Sequence, residues 1–223
     1  KNPWMPYHEY LTESMAKIVG AKPLEVVVMN TLSANLHLLM VSFFNPTKKR
    51  HKILIESDAF PSDRYAVQTQ LAFHGYDPNE DLIEWTPRTG EKLLHIEDLE
   101  QILKTQGEEI ALLLIGGVNY YTGQYLDLKK IANLGHAKGC KVGIDLAHGA
   151  GNIEPKLHES GVDFAAWCTY KYLNSGPGSL GAIFVHERYA HDKNLKRFAG
   201  WWSQNKATRF DMRQPLDITP GAE

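Results

Sequence analysis

Lys171 stands between two tyrosines, in Cys168-Thr169-Tyr170-Lys171-Tyr172-Leu173-Asn174, and the glycine-rich turn Gly176-Pro177-Gly178-Ser179-Leu180-Gly181 follows it. An amine among aromatic rings is partly desolvated, which lowers its pKa and exposes the neutral form that builds an imine with a carbonyl. Taken alone, the residue reads more readily as a surface lysine over a structural loop. Asp145 changes that reading. It ends an apolar stretch, Lys141-Val142-Gly143-Ile144, and Leu146-Ala147-His148 follows it. A buried carboxylate there needs a cationic partner, and a protonated pyridine nitrogen is one. An N-cap for the next segment is the competing role. His148 could lie beside the same ligand or serve the structure. Thr31-Leu32-Ser33 opens a helix-like pattern, and the free N–H groups of a helix start bind phosphate as well as ordinary caps. Phe60, in a turn, offers a ring to stack on a planar group or to staple the next helix. An imine-forming lysine, a carboxylate, a stacking ring and a phosphate cradle together match pyridoxal phosphate (PLP) better than another cofactor.

Other constellations carry less. The turn from Gly176 to Gly181 lacks the Gly-Lys-Ser/Thr ending of a P-loop. His186 and His191 have no third ligand nearby in sequence, so no metal site is expected. Lys48-Lys49-Arg50 reads as a solvated turn. Trp201-Trp202 fits core, interface or lid equally. The turn Asn119-Tyr120-Tyr121-Thr122-Gly123-Gln124 follows a strand pattern and so faces the presumed site.

The elements that must position these residues alternate between strand and helix patterns. Residues 10–19 predict a helix with Leu11, Met15, Ile18 and Val19 on one face. Strands are expected at 25–29, 51–55, 82–85, 110–115, 140–144, 163–169 and 181–186. Helices are expected from Thr31 or Ser33 through Phe43, from Phe60-Pro61-Ser62-Asp63 toward Phe73, around Ile96 to Leu103, and from the cap Asp127 to Gly139. The continuous apolar run Ile110-Ala111-Leu112-Leu113-Leu114-Ile115 suits a strand covered on both faces. The fold class expected is α/β: a mostly parallel sheet flanked by helices, with ligands beyond the carboxyl ends of the strands.

Composition agrees. The 223 residues are 43% hydrophobic and 22% charged, the balance of a globular domain and not of a disordered chain or coiled coil. A net charge of −2 gives no global basic field, so no nucleic-acid partner is expected. The longest apolar run, Ile110 to Val118, falls short of the roughly 20 residues of a membrane span, so no membrane partner is expected. Two cysteines that form no close pair fit a reducing, cytosolic setting. The start at Lys1 and the stop at Glu223, outside any clear element, suggest an excerpt of a longer protein.

The chain resembles the kynureninase family, PLP enzymes of the aspartate-aminotransferase fold type. The resemblance runs from about Trp4 to the C-terminus. Its most specific pieces are Asn35-Leu36-His37-Leu38-Leu39-Met40, Ala59-Phe60-Pro61-Ser62-Asp63, Tyr121-Thr122-Gly123-Gln124, Asp145-Leu146-Ala147-His148 and Trp167-Cys168-Thr169-Tyr170-Lys171-Tyr172-Leu173-Asn174. It implies that residues 1–223 form the PLP-binding large domain (fold type I), incomplete at both ends, with most of a small C-terminal domain outside. It implies Lys171, Tyr170 and Asp145 as catalytic residues. Lys171 would hold PLP, Asp145 would pair with the ring nitrogen, and Phe60 would stack on the ring within Phe60-Pro61-Ser62-Asp63. Leu32, Ser33 and Tyr170 would meet the phosphate, His148 would lie at the cofactor, and Trp201 would complete the phosphate side. The implied reaction is hydrolysis of L-kynurenine or 3-hydroxy-L-kynurenine to an anthranilate and L-alanine, in tryptophan catabolism toward NAD, by a cytoplasmic homodimer. Gly116 departs from the family's serine, and Pro177 stands where a smaller residue is expected. The rival expectations are another enzyme of this fold (a cysteine desulfurase or an aminotransferase), a PLP-binding chain without catalysis, or an α/β domain for a different phosphate ligand.

Overall fold

The computed structural model describes residues 3–212 and 215–222. Its strands are β1 (Val26–Val28), β2 (Lys52–Glu56), β3 (Leu82–Trp85), β4 (Ile110–Gly116), β5 (Lys141–Asp145), β6 (Phe164–Cys168) and β7 (Gly181–Val185). They form one sheet in the order β1-β7-β6-β5-β4-β2-β3. The neighbours from β3 to β6 pair in parallel, and β7 runs against β6 and β1. The helices are α1 (Thr12–Val19), α2 (Leu32–Phe43), α3 (Pro61–Phe73), α4 (Pro78–Asp81), α5 (Ile96–Gln106), α6 (Leu128–Ala137) and α7 (Leu157–Ser160).

The apolar strands are stable because both faces are covered. Along β4, Leu113 and Ile115 join a core with residues of α1, α5 and α6, while Leu112 and Leu114 join one with α2 and α3. Burying each such side chain contributes roughly 1.5–3 kcal/mol, so removing either helix layer would leave an apolar face in water. Gly143 makes one packing arrangement possible. A Cβ there would sit 2.1 Å from the Phe164 ring, and that ring stacks on Phe43 of α2 at 4.9 Å between centroids.

Two expectations need correction. α1 turns Met15, Ala16 and Val19 inward, and Leu11 and Ile18 are exposed. The helix begins at Thr12, so Leu11 is its cap, and Ile18 falls outside the 15–16–19 stripe. Nor is Arg50 part of a solvated turn. Its guanidinium donates to the carbonyls of Gly107, Ile110 and Lys138 at 3.0, 2.6 and 2.8 Å. It thereby ties the loop before β2 to the loops that precede β4 and β5. Lys49 does stay exposed, paired with Glu108. The short helices α4 and α7 carry no sequence expectation.

Candidate active site

The carboxyl edge of the parallel strands opens into a cavity of about 300 Å³. Each wall follows from the chain just past a strand. β1 runs into Met29 and Asn30, and Asn30 takes a left-handed turn at φ 50°. The buried Asn35 side chain donates to Met29 O at 2.9 Å and accepts from Asn30 Nδ2 at 3.2 Å. That turn delivers Thr31, whose hydroxyl caps α2 by accepting from Ala34 N at 3.4 Å. The N–H groups of Leu32 and Ser33 lie in the first turn, where no helical carbonyl can accept them. Gly181 comes close here: a Cβ on it would lie 3.3 Å from Leu32 N.

A second helix start faces the first. Phe60 caps α3, and Pro61 opens it with a φ suited to that position. Pro61 shapes the wall without lining the cavity, whereas Phe60, Ser62 and Asp63 line it. The hydroxyls of Ser33 and Ser62 are 2.9 Å apart. Two helix N-termini and two hydroxyls thus converge at one end of the cavity, an arrangement suited to an anion.

Lys171 lies in the loop after β6. Its Nζ is 3.0 Å from His148 Nε2 and 5.4 Å from the centroid of the Phe60 ring. The ammonium donates, so His148 Nε2 accepts and the imidazole is neutral. Burial and then the charge of Lys171 push the His148 pKa below its ordinary value, in accord with that hydrogen bond. Thr169, Ser175 and Ser179 link their hydroxyls beneath the loop. Tyr170, half exposed, lines the cavity. Burial and a hydrogen bond with Cys168 raise its phenol pKa, so it stays a donor at neutral pH.

Carboxyl groups line the cavity as well. Asp145 ends β5, and its Oδ1 accepts from Ala147 N at 2.7 Å. Asp63, in the first turn of α3, is 6% exposed, and its Oδ1 has no hydrogen-bond partner. Burial, then the charge of Asp145 and a hydrogen bond with it, raise the Asp63 carboxyl to about 10. Asp63 is therefore neutral where it faces Asp145. Glu56, which sequence reasoning missed, ends β2 and also lines the cavity. Both of its oxygens accept from Gly116 N, at 3.0 and 3.1 Å. Tyr120 completes the mouth, its ring edge-on to Phe60 at 5.3 Å. The Asn119 side chain holds that turn by accepting from Tyr121 N and Thr122 N at 3.0 and 2.9 Å.

Lys171, Asp145, His148, Phe60, Ser62, Asp63, Leu32, Ser33 and Tyr170 therefore meet around one cavity. Trp201 does not line it. Its ring packs on Trp202 and Phe210, and its Nε1 donates to Arg209 O at 2.8 Å. At the other edge of the sheet, Glu25, His158 and His186 bring ligand-type atoms within 4.8 Å of one another. Hydrogen bonds from Lys22 N, Glu187 N and His158 already occupy Glu25 there.

Comparison with known proteins gives a consistent picture. Residues 5–200 match the family model described as aminotransferase class-V. A kynureninase of Myxococcus xanthus is 59% identical over 223 residues, all of this chain and 52% of that protein. Kynureninases of Koribacter versatilis and Mus musculus are 58% and 48% identical, covering 53% and 48% of those proteins. The chain spans about half the length of the curated relatives it matches. Among solved structures, a cysteine desulfurase of Thermococcus onnurineus NA1 superposes with a TM-score of 0.67 at 21% identity, over 82% of this chain and 43% of that one. An alanine–glyoxylate aminotransferase of Nostoc sp. gives a TM-score of 0.67 at 14% identity, over 97% and 56%. These two show the fold.

Proposed function

The chain belongs to the aminotransferase class-V family, whose members depend on PLP, and from that premise we propose that the full protein hydrolyses L-kynurenine or 3-hydroxy-L-kynurenine to the corresponding anthranilate and L-alanine. Identity of 48–59% along the chain with proteins of that one name supports the reading. The observation that carries it is the lining of one cavity: Lys171 against His148, two helix N-termini brought together at Ser33 and Ser62, and the carboxyl groups of Asp145 and Asp63.

The residues fit PLP. Asp63 Oδ1 is buried without a partner in the cavity that Asp145 also lines, so the carboxyl groups there lack a donor that a protonated ring nitrogen would bring. Lys171 would hold the cofactor, and Asp145 would meet the ring nitrogen with Asp63 beside it. Phe60 would stack, and the N–H groups of Leu32 and Ser33, with Ser62 and Tyr170, would take the phosphate. Bound there, PLP supplies an electron sink for negative charge at the substrate Cα. Lys171 Nζ is the base for the Cα proton. Neutral His148 holds that amine in place by accepting its hydrogen bond. Asp145 would pair with the ring nitrogen and hold its proton there. Tyr170, kept protonated, donates to the phosphate end. Water adds to the substrate's side-chain carbonyl, the Cβ–Cγ bond breaks so that the aryl fragment leaves with the carboxyl group of the anthranilate, and the electron pair left on Cβ takes up a proton, with a proton returned to Cα, to give L-alanine.

We further propose that residues 1–223 form the large domain, that the protein works in the cytoplasm as a homodimer, and that Trp201 completes the phosphate side within that assembly. No helix among the described residues is long and apolar enough to cross a membrane.

Full-length protein given PLP and L-kynurenine should release fluorescent anthranilate, and Lys171→Ala should abolish release. Near-normal turnover by that variant would sink the assignment. The desulfurase reading needs an accessible cysteine on a mobile loop, and both Cys140 and Cys168 are buried. Sulfide release from L-cysteine, with no anthranilate from kynurenine, would favour it instead. PLP binding with neither product would favour a non-catalytic chain.

A further inference from the structure

Glu56 ends β2 with 5% of its surface exposed, and among the described residues no lysine or arginine forms an ion pair with it. The backbone N–H of Gly116 donates to both of its oxygens, at 3.0 and 3.1 Å. Gly116 ends β4, which lies between β2 and β5 and pairs with Asp145, so the two carboxyl groups stand on strand ends that flank Gly116. We propose that Glu56 is a positioning residue: a third buried carboxyl group that takes up and gives off a proton beside the Asp63–Asp145 pair, and so sets how readily the site accepts a cationic ring. The proposal rests on the reading that this cavity holds PLP, and not on which substrate is cleaved.

The charges around Glu56 are unbalanced. Asp145 of β5 and Asp58 of its own loop face it, and it in turn faces Asp63 of α3. Lys171 offsets Asp63. Lys92 lines a small cleft on the outer side of Glu56, together with Asp58. Several buried carboxyl groups close together cannot all be ionised without matching cations. The protons go where donors are fewest. Asp63 has an oxygen with no partner, whereas Asp145 accepts a short bond from Ala147 N. Glu56 lies between these extremes. Burial pushes it up to about 7, against the opposing pull of backbone N–H groups including Gly116. Near neutral pH it therefore switches between acid and anion.

Position gives that switch a consequence. A Cβ on Gly116 would lie 2.6 Å from Glu56 Oε1, so the Glu56 carboxyl fills the space beside Gly116 that opens on the cavity. A ring carrying a proton, placed against Asp145, would favour the ionised form of Glu56. Binding then releases a proton, and affinity rises with pH, by at most about tenfold per pH unit for one linked proton.

The test uses full-length protein stripped of cofactor: wild type, Glu56→Gln, Glu56→Asp and the control Glu108→Gln, an exposed carboxyl paired with Lys49 outside the cavity. PLP binding is followed by calorimetry in buffers of different ionisation heat from pH 6 to 8, and the visible absorbance of the bound cofactor is titrated. Wild type should release more protons near pH 7 than Glu56→Gln, and its affinity should rise several-fold more between pH 6 and 8. The pH midpoint of the absorbance should move in Glu56→Gln and stay in Glu108→Gln. Glu56→Asp should keep the proton release at a shifted midpoint, which keeps the idea testable if the glutamine variant does not fold. Equal proton counts and absorbance titrations in wild type and Glu56→Gln, both binding PLP, would overturn the proposal. Wild type that binds no PLP would overturn the reading of the cavity and this proposal with it.

Discussion

Under the proposed function Lys171 and Asp145 have opposite tasks: one to give up a proton, the other to carry charge. The structure meets the first need with the neutral acceptor His148 and the second with the N–H of Ala147 and the protonated Asp63. Asp145→Asn keeps an acceptor for Ala147 N but removes the charge. It should lower kcat/KM by about 100-fold or more, the scale of losing one preorganised electrostatic contact. Anthranilate release by the full protein measures this, and a wild-type rate would show that the ring nitrogen is met elsewhere. These residues were legible in the sequence because each follows a strand pattern with an unexpected type: a lysine among tyrosines, an acid and a histidine after an apolar run. Glu56 was not legible. In Ile55-Glu56-Ser57-Asp58 it reads as a loop acid, and only the neighbouring strand end buries it. Trp201 was legible as a candidate, yet its ring lies in an aromatic cluster away from the cavity.

At the scale of elements, the site depends on how the chain leaves each strand. The β1–α2 turn carries most of that burden, since it aims the α2 N-terminus into the cavity. Buried Asn35 secures it through Met29 O and Asn30. Asn35→Ala should leave the Met29 carbonyl short of a partner and lower stability by about 1–3 kcal/mol, read from urea denaturation. It should also weaken PLP binding, because the phosphate cradle is no longer held. A stability loss with unchanged PLP affinity would show that the turn does not position the phosphate end. The parallel strands were legible from their continuous apolar runs, which only a doubly covered sheet tolerates. The reversed β7 was not, because Gly181-Ala182-Ile183-Phe184-Val185 has the same composition whichever way it runs. Arg50 misled for a related reason: its three carbonyl partners, from Gly107, Ile110 and Lys138, converge only after folding.

Across the whole molecule, the two edges of the sheet handle buried acids in opposite ways. At the edge away from the cavity, burial alone would raise Asp163, but hydrogen bonds from His136 and Tyr189 outweigh it and hold the carboxyl below its ordinary range. Such a group stabilises the fold above the unfolded pKa and loses that contribution as pH falls through the folded one. At the cavity edge Glu56 is raised to about 7 and Asp63 to about 10. The folded state there holds protons that the unfolded chain has already released, so stability falls as pH rises from the ordinary carboxylate range toward those values. The cavity edge thus costs stability at the pH where it works, and a bound cationic ring offsets that cost. Glu56→Gln removes one of the contributors. Without cofactor, the variant should gain on wild type as pH rises from 5 to 8, by up to about 3 kcal/mol for a carboxyl shifted to about 7. Saturating PLP should narrow the difference, since binding to the folded state supplies the missing charge. Urea denaturation of both proteins across that range, with and without PLP, decides it: a difference that does not change with pH would mean that Glu56 holds the same charge in the folded and unfolded chain.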